Sequence, residues 1–100
     1  MRVIAKKHLV EFWEAHAETE EPLKAWYDEA SQANWKSPQD IKDRYASASF
    51  VSGNRVVFNI KGHPYRLIVS VAYKFGAIYI KFIGTHQAYD KVDASTVELD

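Results

Sequence analysis

The side chains best able to act on a substrate are concentrated in residues 55–91. This stretch holds Arg55, Lys61, Arg66, Lys74, Lys81 and Lys91, with His86 and Tyr89 close together near its end and a single acid, Asp90. Arginine presents a planar fork that donates in pairs to a phosphate. Histidine exchanges a proton near neutral pH. A phenol stacks on an unstacked base, or transfers a proton where neighbouring cations lower its pKa from about 10. Such a set suits cleavage of an RNA backbone in which the 2′-hydroxyl is the nucleophile, a base takes its proton, cations offset the developing charge and an acid protonates the leaving oxygen. That chemistry requires no metal and no cofactor.

These residues need a scaffold, and the same stretch supplies one. Residues 55–60, 65–73 and 77–85 are rich in valine, isoleucine, tyrosine and phenylalanine, and the breaks between them carry glycine or proline. This pattern predicts an antiparallel meander with short connections. Alternation along each strand separates two faces. Val56, Phe58, Ile60, Leu67, Val69, Val71, Ile78, Ile80 and Phe82 form an apolar set. Arg55, Asn59, Lys61, Arg66, Ser70, Lys74, Tyr79 and Lys81 gather on the other face, which is expected to be bare and partly basic.

The first half of the chain reads as the cover for the apolar face. Arg2-Val3-Ile4 is expected to add a strand to the later sheet. Leu9, Phe12, Trp13 and His16 recur at helical spacing over residues 6–16, and Leu23, Trp26, Tyr27 and Ala30 do so in a second helix ending near residue 33. Thr19 or Glu21 is the expected cap of that second helix, with Pro22 in its first turn. Ser37-Pro38-Gln39-Asp40 opens a short third helix to about residue 45. The three tryptophans are expected in the core. Residues 46–51 read as a strand, residues 86–91 as a helical turn and residues 93–100 as a polar tail that frays. The expected fold is therefore α+β: an N-terminal strand and a two-helix hairpin on one face of an antiparallel sheet, with a short C-terminal turn or helix, in one domain spanning residues 1–100.

Net charge is zero, but it is unevenly placed: −2 over residues 1–52, +5 over 53–91 and −3 over 92–100. A basic sheet segment in a neutral protein fits a face that meets phosphates; it also fits lysines and arginines that merely solubilise exposed strands. The chain has no cysteine, which removes thiol catalysis, and its four histidines lack the spacing of a zinc protease. Its isolated glycines do not form a phosphate-binding loop, and no nucleophile elbow is present. No apolar run approaches a membrane span, and the N-terminus lacks a signal-peptide core, so a soluble cytoplasmic protein is expected.

Arg55-Val56-Val57-Phe58-Asn59-Ile60, Tyr65-Arg66-Leu67-Ile68 and Thr85-His86-Gln87-Ala88-Tyr89-Asp90-Lys91, together with the earlier Trp35-Lys36-Ser37-Pro38 and Ile41-Lys42, resemble the HigB toxin family of the RelE-like superfamily. The resemblance implies the toxin of a type II toxin–antitoxin system: an mRNA endonuclease that cuts translated messages on the ribosome, inhibited by a HigA-type antitoxin in a hetero-oligomer. Alone, the toxin is expected to be a monomer. By position, Arg66 corresponds to the arginine that binds the scissile phosphate, and His86 and Tyr89 complete the expected catalytic set. Arg55, Asn59, Lys61, Lys81, Asp90 and Lys91 are the expected RNA-contacting set. For Asp90, the alternatives are orienting His86 or opening the acidic tail; His86 alternatively caps the strand end. Some relatives carry two lysines on the strand before the arginine, where this chain has Val57 and Asn59. The competing functional reading is a non-catalytic RNA- or protein-binding module that uses the same basic face.

Overall fold

The computed structural model describes residues 1–99. Its elements are β1 (Arg2–Ile4), α1 (Lys6–Ala15), α2 (Glu20–Gln32), α3 (Pro38–Arg44), β2 (Ser49–Val51), β3 (Arg55–Ile60), β4 (Tyr65–Ala72), β5 (Ala77–Thr85) and α4 (His86–Tyr89). The five strands form one sheet in the order β1-β5-β4-β3-β2. The meander is antiparallel, as its short connections require, but β1 joins β5 in parallel, so the sheet is mixed. Strand β2 is shorter than expected, because Ala46 and Ser47 lie in a turn.

Helices α1 and α2, joined by a 3-10 turn at Ala17–Thr19, cover one face of the sheet. Their apolar stripes deliver Leu9, Trp13, Leu23, Trp26 and Ala30 into a core shared with Val56, Phe58, Leu67, Val69 and Ile78. Trp35 is the third buried tryptophan, and Ile41 brings α3 into the same core. A fully buried side chain of Leu, Ile or Phe size contributes roughly 2 kcal/mol, so this layer holds the sheet in place. The N-terminal ammonium of Met1 donates to the carbonyls of Ala30, Ser31 and Ala33 at 3.2, 2.8 and 2.9 Å, placing a positive charge at the C-terminus of α2.

The start of α2 departs from expectation. Thr19 holds the cap position, but its Oγ1 donates back to the His16 carbonyl at 2.7 Å and no side chain caps the helix. Pro22 is the third helical residue, where its missing N–H costs no helical bond. At α3, Ser37 is the cap residue as expected but makes no side-chain cap bond, while the Asp40 carboxylate accepts from the Lys36 N–H at 2.8 Å.

Two further corrections concern the face away from the helices. The β4–β5 register shifts between Ile68 and Val69, which pair with Phe82 and Ile80. Lys81 is the extra residue of a β-bulge, and every β5 side chain beyond it changes face. Phe82, expected in the core, therefore lies opposite Ile68 on the open face, and Ile83 takes its place against the core. The second correction is the tail. Residues 93–99 do not fray: Thr96 and Val97 N–H groups donate to the Asp93 carbonyl, and Leu99 packs against the helical side. Asp100 lies outside the described residues.

Candidate functional site

The hydrogen-bonded register puts Asn59, Arg66 and Gly84 side by side on β3, β4 and β5, in a row near one end of the open face. Arg66 is half-buried. Its Nη1 donates to the carbonyls of His63 at 2.6 Å and Tyr65 at 3.2 Å, which anchors one side of the guanidinium to the β3–β4 hairpin. That four-residue loop, Lys61 to Pro64, turns on left-handed backbone at Lys61 (φ 56°) and Gly62 (φ 82°). Among the described residues no other group takes an Arg66 hydrogen bond, so Nη2 and Nε remain as donors for an anion.

Helix α4 closes this end of the face. Its N-cap Thr85 accepts from the Ala88 N–H at 3.1 Å, and the His86 N–H donates to the Pro64 carbonyl at 2.8 Å. Both histidine and arginine are thus tied to the same hairpin loop. The Tyr89 ring lies 5.8 Å from the Arg66 guanidinium carbon, a cation–π arrangement. His86 Nδ1 faces Asp90 Oδ2 at 3.2 Å, with both side chains about half exposed. The two side chains stand four residues apart on one side of α4 and its C-terminal end. Arg66, His86 and Tyr89 are brought together; Lys61 and Lys91 are exposed around them.

The chain matches the HigB toxin family, described as the RelE-like toxic component of a toxin–antitoxin system, over residues 19–92. The chain belongs to that family. No curated protein matches it. As a HigB-family toxin it has an antitoxin as its partner, and among the described residues no helix is long and apolar enough to cross a membrane.

Two residues expected to face RNA have a different setting in this toxin. Arg55 is only 7% exposed. Its Nη1 donates to the carbonyls of Ala94 at 3.2 Å and Val97 at 2.6 Å, and its Nη2 to Glu98 at 2.6 Å. Lys81 Nζ pairs with the other oxygen of Glu98 at 2.8 Å. These two bonds hold the Glu98 carboxyl below its usual range, Lys81 contributing most. The face is therefore not bare at this end: the C-terminal segment lies against it, and Val57 and Ile68 on the same face are buried. Lys74 sits in the turn after β4, at the other end of that strand from Arg66.

Phe82 is the site residue that alternation misplaced. A Cβ on Gly84 would stand 2.6 Å from Phe82 Cζ, 3.0 Å from its Cε2 and 3.4 Å from Ala88 Cβ, so the ring lies over the glycine beside Arg66 and beneath α4. An isolated glycine inside a strand was the available signal, since it marks a bulge or a close approach. On the helix side of the same hairpin, the Tyr65 hydroxyl donates to Glu18, holding that carboxyl down and the phenol up from their ordinary ranges. His16 stacks on Phe12 at 4.2 Å and meets Tyr65 edge-on at 5.8 Å, which braces the strand residue preceding Arg66.

Proposed function

We propose that this toxin is a ribosome-dependent endoribonuclease that cuts translated mRNA by attack of the RNA's own 2′-hydroxyl, in the cytoplasm, and that a HigA-type antitoxin holds it inactive. The observation that carries the reading is the convergence of Arg66, Tyr89 and His86 on one loop-anchored end of the open face. Arg66, with Nη2 and Nε unengaged, binds the scissile phosphate and stabilises the charge that develops on it. His86, oriented by Asp90, exchanges the proton. Tyr89 packs on the guanidinium and presents a ring for the base at the cleavage point. Phe82 offers a second aromatic surface beside the arginine. Asn59, next to Arg66 in register, and the exposed Lys61 and Lys91 contact the backbone on either side. None of these steps calls on a metal ion.

The test is inducible expression in a bacterium, with growth followed and the 5′ ends of cleaved messages mapped, beside Arg66→Ala and His86→Ala. Growth arrest with cuts confined to translated regions, lost in both variants, is the expected result. Unimpaired growth and intact messages with folded wild-type protein would overturn the reading.

A further inference from the structure

Glu98 is placed as a phosphate would be. Each of its carboxylate oxygens takes one cation, Oε2 from Arg55 Nη2 at 2.6 Å and Oε1 from Lys81 Nζ at 2.8 Å. The exposures are unequal: the Arg55 side chain is 8% exposed and that of Lys81 23%, whereas Glu98 is 57% exposed. The cations are therefore the enclosed members of the cluster, and the carboxylate is the one open to solvent. Arg55 Nη1 has partners of its own, the Ala94 and Val97 carbonyls, which do not involve the Glu98 side chain. Lys81 projects from the β-bulge, the one irregular point of the β4–β5 ladder.

We propose that Arg55 and Lys81 form a second phosphate-binding subsite for the RNA strand, closed in the free protein by the carboxylate of Glu98. This rests on the reading that the open face takes RNA. Arg55 pairs with Ser70, four residues along β4 from Arg66, which sets the subsite roughly 13 Å from the first phosphate station. The row between them carries Val57, Ile68 and Phe82. Glu98 is the exposed member of both pairs, so an incoming phosphate exchanges for it by a side-chain rotation, and the rest of the C-terminal segment stays seated. Glu98 lies outside the stretch that matches the family.

The experiment is binding of a fluorescein-labelled single-stranded RNA decamer, followed by anisotropy at several salt concentrations, to the wild-type protein, Glu98→Gln and Glu98→Gln/Lys81→Gln. Glu98→Gln keeps the side-chain shape at an exposed position, so the fold is retained. It is expected to tighten binding about three- to tenfold and to steepen the salt dependence by about 0.7 for each phosphate newly engaged. Adding Lys81→Gln is expected to cancel most of that gain. Wild-type affinity and slope in Glu98→Gln, or a gain that survives Lys81→Gln, would overturn the subsite. The two readings separate cleanly: a Glu98 effect on binding in a protein that leaves translated messages intact keeps the subsite and removes the nuclease, and cleavage without a Glu98 effect does the reverse.

Discussion

The two ends of the open sheet face begin from similar residues and end differently. At one end Arg66 is half-buried, keeps unengaged donors and shares its loop with His86. At the other, Arg55 on the neighbouring strand is almost wholly buried, with two backbone carbonyls and a carboxylate as partners. Both arginines occupy the same face of a strand, and alternation treats them alike. The difference comes from which terminal segment lies over each: α4 stands beside Arg66 and presents a ring, while residues 93–99 lie over Arg55 and present acceptors. An arginine's role on a sheet is set by what the chain lays across it.

Replacing each arginine tests this contrast most strongly. Arg66→Ala is expected to lower ribosome-dependent cleavage on the order of 100-fold or more, as loss of a donor to a developing anion does, with little change in chemical-denaturation midpoint. Arg55→Ala should do the converse at the level of folding, lowering stability by about 1–3 kcal/mol through the loss of its bonds to Ala94 and Val97. A stable Arg55→Ala protein, or an unstable Arg66→Ala protein, would erase the distinction.

Gly84→Ala comes next in size. The added methyl meets the far edge of Phe82 and approaches Ala88, so the ring and α4 must shift beside Arg66. Cleavage is expected to fall about tenfold by the positional sensitivity of such sites, with a stability loss of about 1 kcal/mol. Asp90→Asn should have a smaller effect. Its pair with His86 is exposed and spaced i, i+4, worth about 0.3–0.5 kcal/mol to the helix, and cleavage is expected to drop a few-fold through misorientation of the imidazole.

The smallest effects concern pH. Glu18 is held low by the Tyr65 hydroxyl and Glu98 by Lys81 and Arg55. A carboxyl depressed on folding contributes stability that is present above its unfolded pKa, about 4.3, and is lost as pH falls through its lower folded value. Acid titration of stability should therefore be flatter for Tyr65→Phe and for Glu98→Gln than for the wild type. Tyr65, raised by Glu18 and by burial, adds the opposite dependence: its contribution is present below the unfolded pKa of about 10 and is lost as pH rises through the folded value. Tyr65→Phe should thus also lose part of the alkaline slope, and Glu98→Gln should not. Circular dichroism melts across the pH range would separate the two ends of the molecule by this signature.

The sequence by itself determined the strands and the helices, and it named Arg66, His86 and Tyr89 as candidates for a site. Residues 55–60 and 77–85 were legible as strands because their two-residue alternation and their Gly and Pro breaks are local properties. Leu9, Trp13, Leu23 and Trp26 could be placed in the core because helical spacing repeats wherever the helix packs. Arg66, His86 and Tyr89 were candidates because of their residue types and the resemblance of their segments to the HigB family, and the fold sets them at one end of the open face. Only the tertiary structure decided the face of Phe82 and the burial of Arg55. A single-residue bulge reverses the parity of everything after it and leaves almost no mark in composition, and whether residues 93–99 hang free or lie across β3 depends on carbonyl and carboxylate partners about 40 residues away in sequence. Periodicity records what neighbouring residues do to one another; contacts made across that separation are settled by packing the finished sheet.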